Sequence, residues 1–145
     1  MNNVVVLDAS LAIMWAIPEQ YTTSALILAE QWLHNKTHLL APCLLLTEIT
    51  NAIYKRVLRN EINMVSAHKA LNIILEFNIE LLEESGLSHR SMELAHSLKM
   101  PATYDAHYLA LAEKYNCNLW TGDKKLYNSA KSSLNWIKWI GNFNL

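Results

Sequence analysis

Four acids stand in four separated stretches of this chain, each beside an apolar run. Asp8 ends Val4-Val5-Val6-Leu7, Glu48 lies within LLLTEITNAI, Asp105 follows Pro101 in PATYDAHYLALAE, and Asp123 closes Leu119-Trp120-Thr121-Gly122. Singly, three have an ordinary explanation, because Asp8, Asp105 and Asp123 fall at or near expected helix starts, where a carboxylate accepts backbone N–H bonds and faces the positive end of the dipole. Glu48 lacks that explanation. It sits at the margin of a helical apolar stripe of Leu45, Ile49, Ala52 and Ile53, where an acid is costly unless it has a partner or is reached by solvent.

Taken together, the four imply a shared site. Two like charges about 4 Å apart repel by roughly 4 kcal/mol at an effective dielectric of 20, so gathered carboxylates must take up protons or recruit cations. With only oxygen ligands, and no Cys or His placed among them, the expected metal is Mg²⁺ or Mn²⁺ in preference to Zn²⁺. An ion so held can orient a phosphodiester, activate water and neutralise charge on the leaving oxygen, so hydrolysis of phosphodiester bonds is the natural chemistry. The hydroxyls of Ser10 and Thr121, two residues from Asp8 and Asp123, are candidates to support that site or to serve as turn and capping groups.

The elements that must position these acids alternate between strand and helix. Val4 to Leu7, with no polar alternation, fits a strand buried on both faces, which points to a parallel sheet covered by helices. Helices are expected over Ser10 to Ile17, stopped by Pro18, and over Thr23 to His34, followed by a strand from His38 to Ala41. A helix beginning near Pro42 runs through about Leu58, another covers Met64 to Phe77, and a strand spans Ile79 to Leu82. Ser88 is expected to cap a helix ending near Leu98, and Thr103 to cap one over Tyr104 to Tyr115. Asn118 to Trp120 reads as a strand, Lys124 to Lys131 as a short helix and Trp136 to Ile140 as an edge strand. The pattern describes a three-layer α/β/α sandwich around a mainly parallel sheet, whose strand order cannot be read from it. In such a sheet the acids can converge beyond the carboxyl ends of the strands.

Bulk properties agree with one domain over residues 1–145, since this length buries a real core and 52% of the residues are hydrophobic. A net charge of -1 and a pI near 6.6 exclude a generally basic, nonspecific nucleic-acid coat but leave room for a local basic patch. No secretory signal and no membrane-spanning run is apparent, so a cytoplasmic location is expected, with no membrane partner. Cys43 and Cys117, set among apolar residues, are expected to be reduced and buried.

The stretches VVVLDASLAIMW, LLAPCLLLTEITNAI, PATYDAHYLALAE and LWTGDKKL, in this order and at these intervals, resemble the PIN-domain family, and within it the small VapC-type toxins of bacterial toxin-antitoxin pairs. The resemblance covers nearly the whole chain. It implies a parallel sheet flanked by helices, a Mg²⁺- or Mn²⁺-dependent endoribonuclease, and control by a small antitoxin whose tail enters the active-site groove. By position, Asp8 and Asp105 match the principal metal ligands, Glu48 the helical acid that completes the cluster, and Asp123 the acid of a Thr-x-Asp segment. Asn51 matches a Glu-x-x-Asn spacing and would steady Glu48, while Gly122 stands where a small residue such as Ala is usual. RNA, the antitoxin and a second copy of the chain in a homodimer are the expected partners.

Other readings stay open at this point. The same fold and acids serve RNA-processing nucleases outside toxin pairs, and a catalytically silent module binding RNA or an antitoxin-like protein is a further alternative. A phosphatase with an aspartyl nucleophile after its first strand needs a second acid two residues on, where this chain has Ser10. The six histidines are scattered, without a tight ligand pair for zinc. Lys55, Arg56, Arg59, Lys124 and Lys125 are candidates for phosphate contacts, although solvated helix ends explain them equally well. Trp32 is expected in the core. Core packing is favoured for the other tryptophans too, with a partner groove as the alternative for Trp15 and a second copy as that for Trp136 and Trp139.

Overall fold

The computed structural model describes residues 3–144. Among them the order is β1 Val4–Leu7, α1 Ala9–Met14, α2 Thr22–His34, β2 His38–Pro42, α3 Leu44–Leu58, α4 Met64–Leu75 and β3 Glu80–Leu82. There follow α5 Leu87–Ser97, α6 Tyr104–Lys114, β4 Leu119–Thr121, α7 Lys124–Ala130 and β5 Ile137–Trp139, with a 3₁₀ turn at Ile140–Asn142. The five strands pair in parallel in the order β3-β2-β1-β4-β5.

This order puts the all-aliphatic β1 in the centre, where a strand without polar alternation belongs. Val5, Val6 and Leu7 are buried, and Val6 pairs with Leu40 of β2 on one side and Leu119 of β4 on the other. From β1 the chain steps outward to β2 and β3, then returns across the sheet to β4. The order therefore reverses between β1 and β4, and the crevice beyond their carboxyl ends is where such sheets take ligands. Right-handed crossovers send α1 to α4 to one face and α5 to α7 to the other. The packing agrees: α1 contacts α2, α3 and α4, while α6 lies across β1, β2 and β4 with α5 on its flank. Ala106 and the whole run Tyr108 to Ala112 are buried, so α6 is a core helix with its first turn at the crevice.

Glycine plays a small part in ending these helices. Lys36, Asn60, Asn78, Lys99 and Asn116 take the left-handed conformation just past α2, α3, α4, α5 and α6. The amides of Thr37, Glu61, Met100 and Cys117 reach back to the carbonyls of Trp32, Arg56, Ala95 and Ala112, closing Schellman-type ends. Asn tolerates that conformation better than most side chains, which suits three of the five positions.

Several boundaries differ from those read in the sequence. Pro42 ends β2 opposite Leu82 rather than opening α3; the pairing of β2 with β1 stops at Leu40, so no N–H is missed on that side. α1 ends at Met14, and the residues up to Pro18 form a turn. Ser88 lies inside α5, whose N-cap is Gly86 at φ 80°. Thr103 occupies the N-cap of α6 without a side-chain bond, and its carbonyl receives the N–H and Nδ1 of His107 instead. Cys43 is exposed and Cys117 half-buried, both free, so the expectation of two buried thiols fails for Cys43.

The aromatic core is centred on Trp15, which is buried, stacks on Phe77 at 4.0 Å between ring centroids, meets Trp32 edge-on and donates its Nε1–H to the Ala25 carbonyl. Trp15 thus packs the interior. Trp136 is anchored to the Leu109 carbonyl through Nε1, and Trp139 packs against Tyr21 and Tyr127. No helix among the described residues is long and apolar enough to cross a membrane.

The turn after β4 is held close to α1. A Cβ on Gly122 would come within 2.6 Å of the Met14 methyl and 3.0 Å of the Ser10 carbonyl oxygen. The methyl can swing aside, whereas the backbone must move, so Gly122→Ala is expected to destabilise the fold by about 1–3 kcal/mol and lower its melting temperature. An unchanged melting curve would show that this approach is looser than the structure has it.

Candidate active site

The crevice between β1 and β4 opens into a pocket of about 370 Å³ lined by Asp8, Glu48, Asp105 and Asp123, together with Ser10, Tyr108, Glu19 and Arg56. Four acids separated by as much as 115 positions are therefore brought to one wall of the molecule. Asp8 leaves the end of β1, Asp123 the turn after β4, Glu48 the middle of α3, and Asp105 the first turn of α6.

Asp8 is 5% exposed and is the most constrained of the four. Its Oδ1 accepts the Leu11 amide at 3.1 Å, capping α1, and the Ser10 hydroxyl at 2.7 Å; its Oδ2 accepts the hydroxyl of Thr121, which is itself fully buried. Both hydroxyl protons are thereby committed to Asp8, so the 3.2 Å approach of Ser10 Oγ to Thr121 Oγ1 is a contact between two oxygens whose protons point elsewhere. Their lone pairs are used as well: Ser10 Oγ accepts the Gly122 amide at 2.9 Å and Thr121 Oγ1 the Asp123 amide at 3.0 Å. The two hydroxyls tie the end of β1 to the turn after β4. Burial nevertheless outweighs these bonds, and with the added repulsion of Asp105 it raises the Asp8 carboxyl from 3.8 to about 6.

Glu48 is half-buried, and Tyr108 donates its O–H to Glu48 Oε1 at 2.5 Å. Burial raises the Glu48 carboxyl, opposed by the Tyr108 bond and the nearby His107 and reinforced by the charge of Asp105. Burial and the bond to Glu48 push the Tyr108 phenol far up, so it stays a donor at any working pH. Asn51, expected to steady Glu48, is exposed and makes no hydrogen bond to it among the described residues. Tyr108 was missed from the sequence because a tyrosine inside the apolar run YLALA reads as core, which at 1% exposure it also is. The available signal was its place one turn after Asp105, on the same side of α6.

Asp123 caps α7, with Oδ1 accepting the amides of Lys125 at 2.9 Å and Leu126 at 3.2 Å. Asp105 has no hydrogen-bond partner among the described residues; burial and the charge of Asp123 raise its carboxyl. Capping thus accounts for Asp8 and Asp123 but not for Asp105, whose own charge acts on Asp8 and Glu48. Of the cations considered from the sequence, Arg56 alone lines the pocket, while Lys55, Arg59, Lys124 and Lys125 are exposed outside it. A larger groove of about 520 Å³ lies at the opposite ends of the strands, around Asn3 and Asn118, but its one acid, Glu113, is paired with Arg90 at 2.7 and 2.9 Å.

Among the described residues no three acidic, histidine or cysteine groups stand close enough to form a ready-made metal cage. The donor set nonetheless suits a hard divalent ion. All its donors are oxygens, the acids repel one another and Asp105 has no hydrogen-bond partner among the described residues.

A family model described as PIN domain matches residues 6–136. Among solved structures, the crystal structure of PAE2754 from Pyrobaculum aerophilum superposes with a TM-score of 0.67 at 22% identity, covering 92% of this chain and 91% of that one. At that identity the likeness speaks for the fold. Among curated proteins none matches this chain.

The raised Asp8 carboxyl makes stability depend on pH in a definite direction. Unfolded, the group ionises near 3.8, whereas folded it keeps its proton to about 6. Its stabilising contribution is therefore complete below about 3.8 and lost as the pH rises through 6, a difference of about 3 kcal/mol. In EDTA the protein should melt higher at pH 5 than at pH 7.5, and Asp8→Asn should flatten that difference. Equal melting temperatures for the unsubstituted protein at the two pH values would contradict the burial of this group.

Proposed function

The chain belongs to the PIN-domain family, whose members are generally nucleases, and we propose that it is a Mg²⁺- or Mn²⁺-dependent endoribonuclease, the toxin of a toxin-antitoxin pair. The observation that carries the nuclease reading is the gathering of Asp8, Glu48, Asp105 and Asp123 around one pocket at the switch point of the sheet. The toxin role rests on the likeness of the four motif stretches to VapC-type chains, and with it come a small antitoxin as regulator, a homodimer and a cytoplasmic setting.

Asp8 and Asp105 would hold the ion, with Glu48 and Asp123 completing the negative rim. A bound Mg²⁺ or Mn²⁺ supplies Lewis-acid stabilisation of charge on phosphoryl oxygens and a lowered water pKa. The chain's own contribution is orientation. Ser10, Thr121 and the Leu11 amide fix both oxygens of Asp8, so its direction is set before anything binds. Tyr108 holds Glu48 by Oε1 and leaves Oε2 as the oxygen available to take a proton from an attacking water. Ser10, at the position two residues after Asp8 where the aspartyl-phosphatase alternative needs a second acid, disfavours that alternative.

Purified protein should cleave single-stranded RNA with Mg²⁺, stop in EDTA, and lose at least roughly 10²-fold in rate as Asp105→Asn, since loss of even an outer-shell partner of a metal ligand costs about 10–100-fold. Mg²⁺ should also raise the melting temperature near neutral pH, and do so much less in Asp105→Asn. Cleavage that survives both EDTA and the substitution would refute the metal-dependent mechanism. A fold stabilised by Mg²⁺ but inert on a broad RNA panel would favour the silent binding module.

A further inference from the structure

The acidic pocket contains one cation. Arg56 lies two turns after Glu48 on α3 and is the only lysine or arginine among the pocket's lining residues. Its side chain is 23% exposed, and its guanidinium is shared between two carboxylates: Nη2 lies 3.3 Å from Glu19 Oε2, and Nη1 4.0 Å from Glu61 Oε2. Glu61 is the weaker of these partners, because Arg59 already grips it at 2.9 Å. Glu19 comes from the connection between α1 and α2 and also lines the pocket; Arg56 is the one cation it meets among the described residues.

A strand of RNA entering this pocket brings more negative charge to a place already crowded with it. Divalent ions offset charge where they sit, but the phosphates on either side of the reacting one need a partner from the protein. Arginine is the residue suited to that task, since its planar fork presents parallel N–H donors to two oxygens at once. A carboxylate and a phosphate offer that fork the same pair of oxygens. Glu19 is 30% exposed along its side chain, and an ion pair so open to water is a weak hold that an arriving phosphate can displace.

We infer that Arg56 is the residue that binds a backbone phosphate of the RNA substrate, and that Glu19 occupies its guanidinium in the free protein and yields it when RNA enters. The inference rests on the nuclease reading above. It separates Arg56 from the other basic residues near the site: Lys55 and Arg59 share its helix but lie outside the pocket, and Lys124 stands over the Trp139 ring at 5.1 Å. Glu19 thus tunes affinity from the pocket wall. The competing role is a plain structural one, in which the pair only fastens the α1–α2 connection to α3.

Four proteins separate these roles: the unsubstituted chain, Arg56→Gln, Glu19→Gln and the double variant. Each is assayed for cleavage of a labelled single-stranded RNA in Mg²⁺ across a series of salt concentrations, for binding of the same RNA by fluorescence anisotropy with Ca²⁺ in place of Mg²⁺, and for melting temperature. Arg56→Gln should weaken RNA binding about tenfold and lower the salt slope by about one, with the loss larger in KM than in kcat. Glu19→Gln should tighten binding by up to about fivefold, and that gain should vanish in the Arg56→Gln background. Arg56→Lys, which keeps the charge and loses the fork, should fall between. A gain from Glu19→Gln that persists without Arg56 would mean that Glu19 only repels RNA, and would overturn the exchange. Lower melting temperatures with unchanged RNA affinity would assign the pair a structural role and overturn the inference while leaving the nuclease intact. Failure of the unsubstituted chain to cleave any RNA would instead strike the nuclease reading itself.

Discussion

The organisation of this protein depends on keeping an ionisable carboxylate buried at the end of its central strand. Asp8 is almost wholly covered, and three donors converge on it, from the first turn of α1, from Ser10 and from Thr121 at the end of β4. Those bonds do two things at once. They satisfy a group that would otherwise be costly to bury, and they lash β1, α1 and the turn after β4 into one unit. Gly122 completes the arrangement by allowing that turn to lie against the Ser10 backbone without a side chain in the way. The site's geometry and the fold's central seam are therefore the same structure.

Such a site is bought at the expense of stability. The carboxyls of Asp8, Glu48 and Asp105 are all raised, first by burial and then by each other's charge or that of Asp123, so the fold holds its acids in a state they resist. Strain of this kind gathers where function needs it and is offset by the rest of the molecule. Here the offset lies in the aliphatic β1, the fully buried run of α6 and the Trp15, Trp32 and Phe77 cluster. α6 illustrates the link between the two: the helix that fills the core beneath β1, β2 and β4 also carries Asp105 and Tyr108 to the rim of the pocket. A residue can serve both, as Tyr108 does with a ring in the core and a hydroxyl on Glu48.

Reading the sequence worked best where local pattern and tertiary role coincide. The central strand is recognisable because four consecutive aliphatics suit only a position covered on both faces, and each of the other strands falls within a few residues of the segment read for it. Caps were less legible. Asp8 and Asp123 cap helices as their types invite, but Ser88 lies inside its helix, and Thr103, though it stands at the N-cap of α6, uses its carbonyl and not its hydroxyl. Capping depends on which residue turns out of the helix, and that is settled by how the preceding loop packs. The partner of Glu48 was not legible either: the family resemblance implied Asn51 on the same helix, while the donor comes from another helix, 60 positions away.

From the sequence alone came the kinds of element, their succession, the α/β class and the identity of the four acids, because hydrophobic period and residue chemistry are written locally along the chain. Only the tertiary structure decided the strand order β3-β2-β1-β4-β5, the meeting of those acids in one pocket, the Tyr108 bond to Glu48 and the singling out of Arg56 from its basic neighbours. All of these are relations between residues far apart in the chain. They are set by how buried faces pack and how crossovers turn, and local sequence does not record the distance between two side chains until the core has brought their elements together.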